Sequence, residues 1–375
     1  MIAVFDAARN FRAHREEYLA AFERVLSSNR LILGPETEAF ETEFAAHVKS
    51  AHAVGVNSGT DALVLAMTAL GVGLGDEVLV PALTAPATAA AVRMVGAVPR
   101  FVDVLPDALT MDPQAADRAV TRRTRCILPV HLYGAAAEMT QLAALAESRG
   151  LALVEDCAQA HGTMHAGRTV GTFGRIGCYS FYPTKNLGAF GDGGACVTDD
   201  PYLAQRLRRL RFYGLDADGV MREDGRNSRL DELQAALLRV KLRWLEKGNL
   251  HRRVIAERYR RNLRDADLRL PIDQPGCCYH QFVIRTADRA GLIAELQRHQ
   301  IGYGVHYPRP LHLMPAYEFL GYRAGDLPVA EQACDEVLSL PIYPELDNIE
   351  VDRVCTAVLR GLRMADVHSA TAVRV

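Results

Sequence analysis

The chain reads as an α/β protein: a large domain with a mainly parallel sheet flanked by helices, followed by a smaller C-terminal α+β domain. Three observations predict this. Short apolar runs alternate with helical patterns from His52 to Val154, the order that right-handed βαβ crossovers produce. From Asn227 the rhythm changes to one apolar stripe, Leu230, Leu233, Leu237, Val240 and Trp244, the spacing of a long helix with one buried face. The 375 residues, 49% hydrophobic and 23% charged, suffice for one large domain and one small one.

Taken in order, the first 43 or so residues read as amphipathic helix, with a turn at Leu33-Gly34-Pro35 and a second helix from Glu36. Ala53–Val56 reads as a strand, Asn57–Thr60 as a turn, and Asp61–Leu70 as a helix with Leu63, Met67 and Leu70 along one face. The alternation continues with Val78–Val80, a helix over Ala85–Val95, Val98–Val102, a helix near Gln114–Val120, and Cys126–Val130. A helix over Met139–Ser148 then leads into Leu151–Val154. Gly248-Asn249 is expected to kink the long helix, and the domain boundary is placed there, giving 1–248 and 249–375. Beyond it, Phe282–Ile284 reads as a strand, Arg289–His299 as a helix, Val305–Tyr307 as a short strand or loop, and Val351–Leu362 as a closing helix. The last dozen residues read as a loose tail.

Composition excludes several function classes. A net charge of −2 leaves no electrostatic footprint for nucleic acid or an anionic membrane. The basic runs at 206–211 and 252–261 alternate with apolar residues, as solvated helix faces do. Eight cysteines without a Cys-x-x-Cys pair imply reduced, buried thiols and a cytoplasmic protein. Asp6 interrupts the N-terminal apolar residues too early for a signal peptide, and no apolar run reaches membrane-spanning length.

The stretch with the most chemistry is Ser180-Phe181-Tyr182-Pro183-Thr184-Lys185-Asn186-Leu187-Gly188, continuing through Gly191 to Gly194. Proline and glycine at this density place Lys185 on an irregular loop among apolar and small residues. Burial there would lower its pKa and make a neutral amine, a nucleophile for carbonyl carbon; the bland alternative is a solvated charge. Upstream, Leu151–Asp156 reads as a buried strand ending in an acid, where open α/β sheets bind ligands. A pyridoxal phosphate (PLP) site needs a lysine for the imine and a carboxylate to keep the pyridine nitrogen protonated. Asp156 fits that role, or equally a helix N-cap. Asn57-Ser58-Gly59-Thr60 fits a phosphate cradle at a helix N-terminus, or a plain capping turn.

Other motifs are weak or missing. His161 and His165 have the spacing of a zinc helix, but Gly162 and Gly167 oppose a helix and the general-base glutamate is lacking, so no metal is expected. No nucleotide P-loop, Gly-x-Gly-x-x-Gly fingerprint or Gly-x-Ser-x-Gly elbow occurs. His306-Tyr307-Pro308-Arg309-Pro310 reads as a rigid binding loop or an inter-domain turn.

Together, Asn-Ser-Gly-Thr-x-Ala-Leu at 57–63, Glu-Asp-x-Ala-Gln at 155–159, Ser-Phe-Tyr-Pro-x-Lys-Asn-Leu-Gly at 180–188, Gly-Asp-Gly-Gly at 191–194, Asn-Ser-Arg-x-Asp-Glu-Leu-Gln-Ala at 227–235 and His-Tyr-Pro at 306–308 resemble the DegT/DnrJ-type (StrS-like) sugar aminotransferases. The resemblance spans about Leu31 to Glu345. It implies the aspartate-aminotransferase-like fold-type I and PLP as cofactor. It implies that Lys185 forms the imine and shuttles protons, Asp156 pairs with the ring nitrogen, and Gln159 contacts the ring 3-hydroxyl. Gly59, Thr60 and Ser180 would hold the phosphate, joined by Asn227 from the second subunit of a homodimer with shared sites. His306 and Tyr307 would lie near the sugar. The implied donor is L-glutamate or L-glutamine and the implied acceptor a nucleotide-linked keto-sugar, with a lean towards a dTDP-3-keto-6-deoxyhexose over 4-keto sugars. A keto-cyclitol acceptor is the alternative, and a non-enzymatic regulator would have to lack PLP altogether. Lys185 argues against the related dehydratases, which carry histidine there. Ala85 departs from the pattern, standing where many members place an aromatic that stacks on the cofactor.

Overall fold

The computed structural model describes the backbone of residues 1–372 and the side chains of residues 1–363. Three helices open the chain, α1 (Ala7–Ala13), α2 (Arg15–Ser28) and α3 (Pro35–Val48). The alternating section follows as β1 (His52–Val56), α4 (Gly59–Ala69), β2 (Glu77–Pro81), α5 (Pro86–Met94), β3 (Val98–Val102), α6 (Pro113–Ala119), β4 (Thr124–Ile127), α7 (Met139–Arg149) and β5 (Ala152–Asp156). A two-residue hairpin, β6 (Met164–His165) and β7 (Arg168–Thr169), precedes β8 (Ile176–Ser180), β9 (Gly194–Thr198) and α8 (Pro201–Leu210). Then come α9 (Glu232–Leu263), β10 (Phe282–Arg285), α10 (Arg289–Arg298), α11 (Pro328–Glu336), β11 (Val337–Leu340) and α12 (Asn348–Ala372).

The main sheet has seven strands in the order β1-β9-β8-β5-β4-β2-β3. β2, β3, β4, β5 and β8 pair in parallel, and β9 runs antiparallel to both of its neighbours. The sequence did not announce β9. It pairs with β8 directly, as only an antiparallel strand can after a loop without a crossover helix. That loop carries Lys185. Strand order reverses at β2, whose next strand lies on one side while β4 and β5 lie on the other, so a crevice opens at the carboxyl ends of these strands.

α9 runs as one helix through Gly248 and Asn249. Its first half, Ala235 to Leu245, packs with Phe40, Phe44, Tyr179 and Phe181, and its second half, Ile255 to Leu263, packs with β10, α10 and α12. Ile2 lies in the second of these cores and bridges to Ile301. The closing helix begins at Asn348 and continues to Ala372 in place of a tail. Arg211 and Arg252 lie on no solvated face. Arg252 is buried and donates to the carbonyls of Tyr279, His280 and Ile342, while Arg211 pairs with Glu41.

Candidate active site

β5 delivers Asp156 to the crevice. Its Oδ1 accepts from the Ala158 N–H at 3.1 Å and its Oδ2 from the Thr88 hydroxyl at 2.9 Å. Thr88 sits on α5, just after β2, and its oxygen lies 3.1 Å from that of Thr84. The aspartate is thus clamped from across the crevice. Burial pushes its carboxyl above the usual range, opposed by the Ala158 and Thr88 hydrogen bonds and by the nearby charge of Lys185.

Lys185 lies on the β8–β9 loop, its N–H donating to the Tyr182 carbonyl at 2.9 Å. Burial pulls its amine down to about 8, against the pull of Asp156 in the other direction. The next residue fixes the loop: the Asn186 amide donates to Asn249 Oδ1 at 2.9 Å and to the Cys278 carbonyl at 3.0 Å, and its oxygen lies 3.3 Å from the His280 ring. Asn249 in turn donates to the His161 carbonyl at 2.8 Å.

Ser58 caps α4, its oxygen accepting from the Asp61 N–H at 3.1 Å. The N–H groups of Gly59 and Thr60 are therefore first-turn donors without an intrahelical partner. Gly59 is pressed against the end of β8, so that a Cβ there would lie 2.5 Å from the Cβ of Ser180. Only glycine permits this approach. It gathers a hydroxyl and free N–H groups at a helix N-terminus, a donor set suited to a phosphate.

Gln159 is buried and accepts from the Tyr133 N–H at 2.7 Å, while its amide donates to the Tyr307 hydroxyl at 3.2 Å. Burial raises the Tyr307 phenol to about 12. The His306 ring lies 2.9 Å from Ser339 Oγ, and burial with the charge of Lys185 lowers its pKa. The structure thus joins Asp156 with Lys185, Gly59 with Ser180, and Gln159 with Tyr307. Asn227 stands apart on the exposed surface. Its neighbour Ser228 ties to the α4 turn, accepting from the Asn57 N–H at 3.2 Å and donating to Asp61 at 2.7 Å.

The two histidines with zinc-like spacing are not on a helix. His161 is buried against Tyr179 and Phe181, and His165 sits on the β6–β7 hairpin beside Thr140. A buried trio that sequence reading missed, His131, Glu155 and Cys157, is internally committed. His131 Nδ1 accepts from the Ala137 N–H at 3.1 Å, so the proton sits on Nε2, 3.2 Å from Glu155, which also accepts from Gly171 and Gly174. Thr88, Tyr133, Asn186 and Asn249 were likewise missed. Only Asn186 carried a local signal, its place beside the lysine.

A low-pKa lysine, a buried aspartate and an anion cradle around one crevice define a site for a phosphorylated aldehyde cofactor with a ring nitrogen, and the residues fit PLP. The comparisons agree. The profile of the DegT/DnrJ/EryC1/StrS aminotransferase family matches residues 12–359, and the chain belongs to that family. It is 50% identical over 356 residues to the erythromycin biosynthesis sensory transduction protein EryC1 of Saccharopolyspora erythraea, covering 92% of this chain and 96% of that one. It is 47% identical over 368 residues to a dTDP-3-amino-3,4,6-trideoxy-alpha-D-glucose transaminase of Streptomyces venezuelae, covering 97% of each. The crystal structure of S. venezuelae DesV in complex with a ketimine intermediate superposes with a TM-score of 0.94 at 46% identity, covering 96% of this chain and 98% of that one. The chain is a fold-type I aminotransferase, and its cofactor is pyridoxal 5′-phosphate. Among the described residues no helix is long and apolar enough to cross a membrane.

Proposed function

We propose that the protein transaminates a nucleotide-linked keto-sugar, with a dTDP-3-keto-6-deoxyhexose as acceptor and L-glutamate or L-glutamine as donor, in the cytoplasm. The observation that carries this reading is end-to-end kinship with a dTDP-3-amino sugar transaminase around an intact lysine–aspartate pair. When bound, PLP supplies the electron sink that lets an amino group pass between donor and acceptor carbons.

The chain's own residues have separable tasks. Lys185, its amine lowered to about 8 by burial, would hold the cofactor's aldehyde carbon and could carry a proton at the reacting carbon. Asp156, its two oxygens oriented by Thr88 and Ala158, would pair with the ring nitrogen and favour its protonated form. Gly59, Thr60 and Ser180 would hold the phosphate, and Gln159 would donate to the ring hydroxyl. His306 and Tyr307 face the sugar.

The site is shared in a homodimer, with Asn227 reaching the second subunit's phosphate. Support comes from an apolar face on α2 and its following loop, where Leu19, Phe22, Leu26, Leu31 and Ile32 are 43–56% exposed. Sedimentation should return twice the mass of the chain. The domain boundary is placed within α9, whose halves join different cores.

The test is a half-reaction. The PLP-loaded enzyme is given a dTDP-3-amino-6-deoxyhexose, its 4-amino isomer or an aminocyclitol, and the cofactor absorbance is followed. Bleaching by the 3-amino sugar alone is expected. Bleaching by the cyclitol alone overturns the acceptor while leaving the fold and the lysine in place.

A further inference from the structure

We infer that Tyr133 is a positioning residue that locks the orientation of Gln159 and ties it to the His306–Tyr307 loop, so that the cofactor side and the sugar side of the site respond as one unit. The inference rests on the reading of Gln159 as the contact to the ring hydroxyl.

Tyr133 follows β4 and has φ 59°, ψ 6°, the left-handed region. A bulky residue rarely stays there, and glycine or asparagine would hold the same turn with less strain. Its three polar groups show what the side chain and backbone do. The N–H donates to Gln159 Oε1 at 2.7 Å, the carbonyl accepts from the Gln281 N–H at 3.1 Å, and the hydroxyl donates to the His306 carbonyl. The turn is seated tightly, because a Cβ on the next residue, Gly134, would lie 2.7 Å from the His280 nitrogen.

An amide side chain can present either end to its surroundings. Here the Tyr133 N–H takes the oxygen, so the NH2 end must face Tyr307 and the crevice, and Gln159 acts there as a donor. A donor at the ring hydroxyl favours its anionic form and lowers the pKa of the lysine-bound cofactor. The hydroxyl of Tyr133 fixes the segment carrying Tyr307, the second partner of that NH2 group. Loosening the segment releases Gln159 without touching it.

The experiment is a spectroscopic pH titration of the PLP-loaded enzyme in four forms: wild type, Tyr133→Phe, Gln159→Ala and the double variant. Tyr133→Phe removes one oxygen and keeps the ring in its packed position, so thermal stability should stay near that of the wild type. Gln159→Ala should move the absorbance midpoint up. Tyr133→Phe should move it the same way by a smaller amount, and the double variant should match Gln159→Ala, because the phenol acts through the glutamine. Tyr133→Phe should also raise KM for the sugar substrate about threefold or more with kcat little changed. A Tyr133→Phe titration that overlays the wild type, or shifts that add in the double variant, overturns the inference while Gln159 keeps its role. No shift in Gln159→Ala overturns both.

Discussion

Asp156 and Ser180 stand at the ends of neighbouring strands of a seven-stranded sheet, whereas His306 and Tyr307 stand on a loop with no strand of its own. The first pair is fixed by backbone ladders and local turns. The second is fixed by hydrogen bonds from residues far away in the chain: Gln159 to Tyr307 spans 148 residues and Tyr133 to His306 spans 173. The contrast matches the division of labour. Asp156 and Ser180, proposed as cofactor contacts, sit on strands, whereas His306 and Tyr307, proposed as substrate contacts, sit on a loop whose side chains can change without disturbing the sheet.

If that division holds, damage to the cofactor wall, Lys185 and its β8–β9 loop included, should abolish chemistry, and damage to the His306–Tyr307 wall should chiefly raise KM for the sugar. The sharpest break is Lys185→Ala, expected to lower turnover by roughly 10⁴-fold or more, the scale on which loss of a covalent nucleophile is felt. Borohydride reduction followed by mass spectrometry should find no cofactor attached to that variant. Asp156→Asn keeps an oxygen for the Ala158 N–H but removes the charge that protonates the ring. Its kcat should fall by roughly 10²–10⁴-fold with cofactor still bound. Retention of near-normal turnover there would erase the distinction between the two walls.

A gentler probe of the same wall is pH. The lysine amine is lowered to about 8, so its protonated fraction falls as pH rises through that value. The reactive neutral form should grow roughly tenfold between pH 7 and 9. Stopped-flow loading of the apo-enzyme with PLP should speed up accordingly and then level off; a rise of roughly a hundredfold with no levelling by pH 9 would place the lysine in an unperturbed setting. On the loop wall, Tyr307→Phe should raise KM for the sugar by roughly three- to tenfold. Smallest for catalysis is Asn249→Ala, which strands the His161 carbonyl and the Asn186 amide. It should cost about 1–3 kcal/mol of stability in a urea titration, with modest change in turnover.

The same contrast explains what could be read in the sequence. An apolar run ending in Glu155-Asp156 and a proline- and glycine-broken lysine loop are local patterns, so the parallel strands, Asp156 and Lys185 were legible. Thr88 was not, because it hides in a helix of small residues and its partner comes from another strand. Arg252 was misread as solvated since the carbonyls it serves lie 27, 28 and 90 residues away. β9 escaped because the glycines before it looked like the end of regular structure. Periodicity reports which face is buried; it does not report which distant polar group waits there.

The position of Ile2 has a consequence for how the chain is made. The cluster around Phe40, Tyr179 and Phe181 is complete once Leu245 has been synthesised, and folding there can begin with the ribosome still at work. The cluster that holds Ile2 draws its members from as far as Val358. Ile2 therefore waits until Val358 has been made before it finds its full set of neighbours.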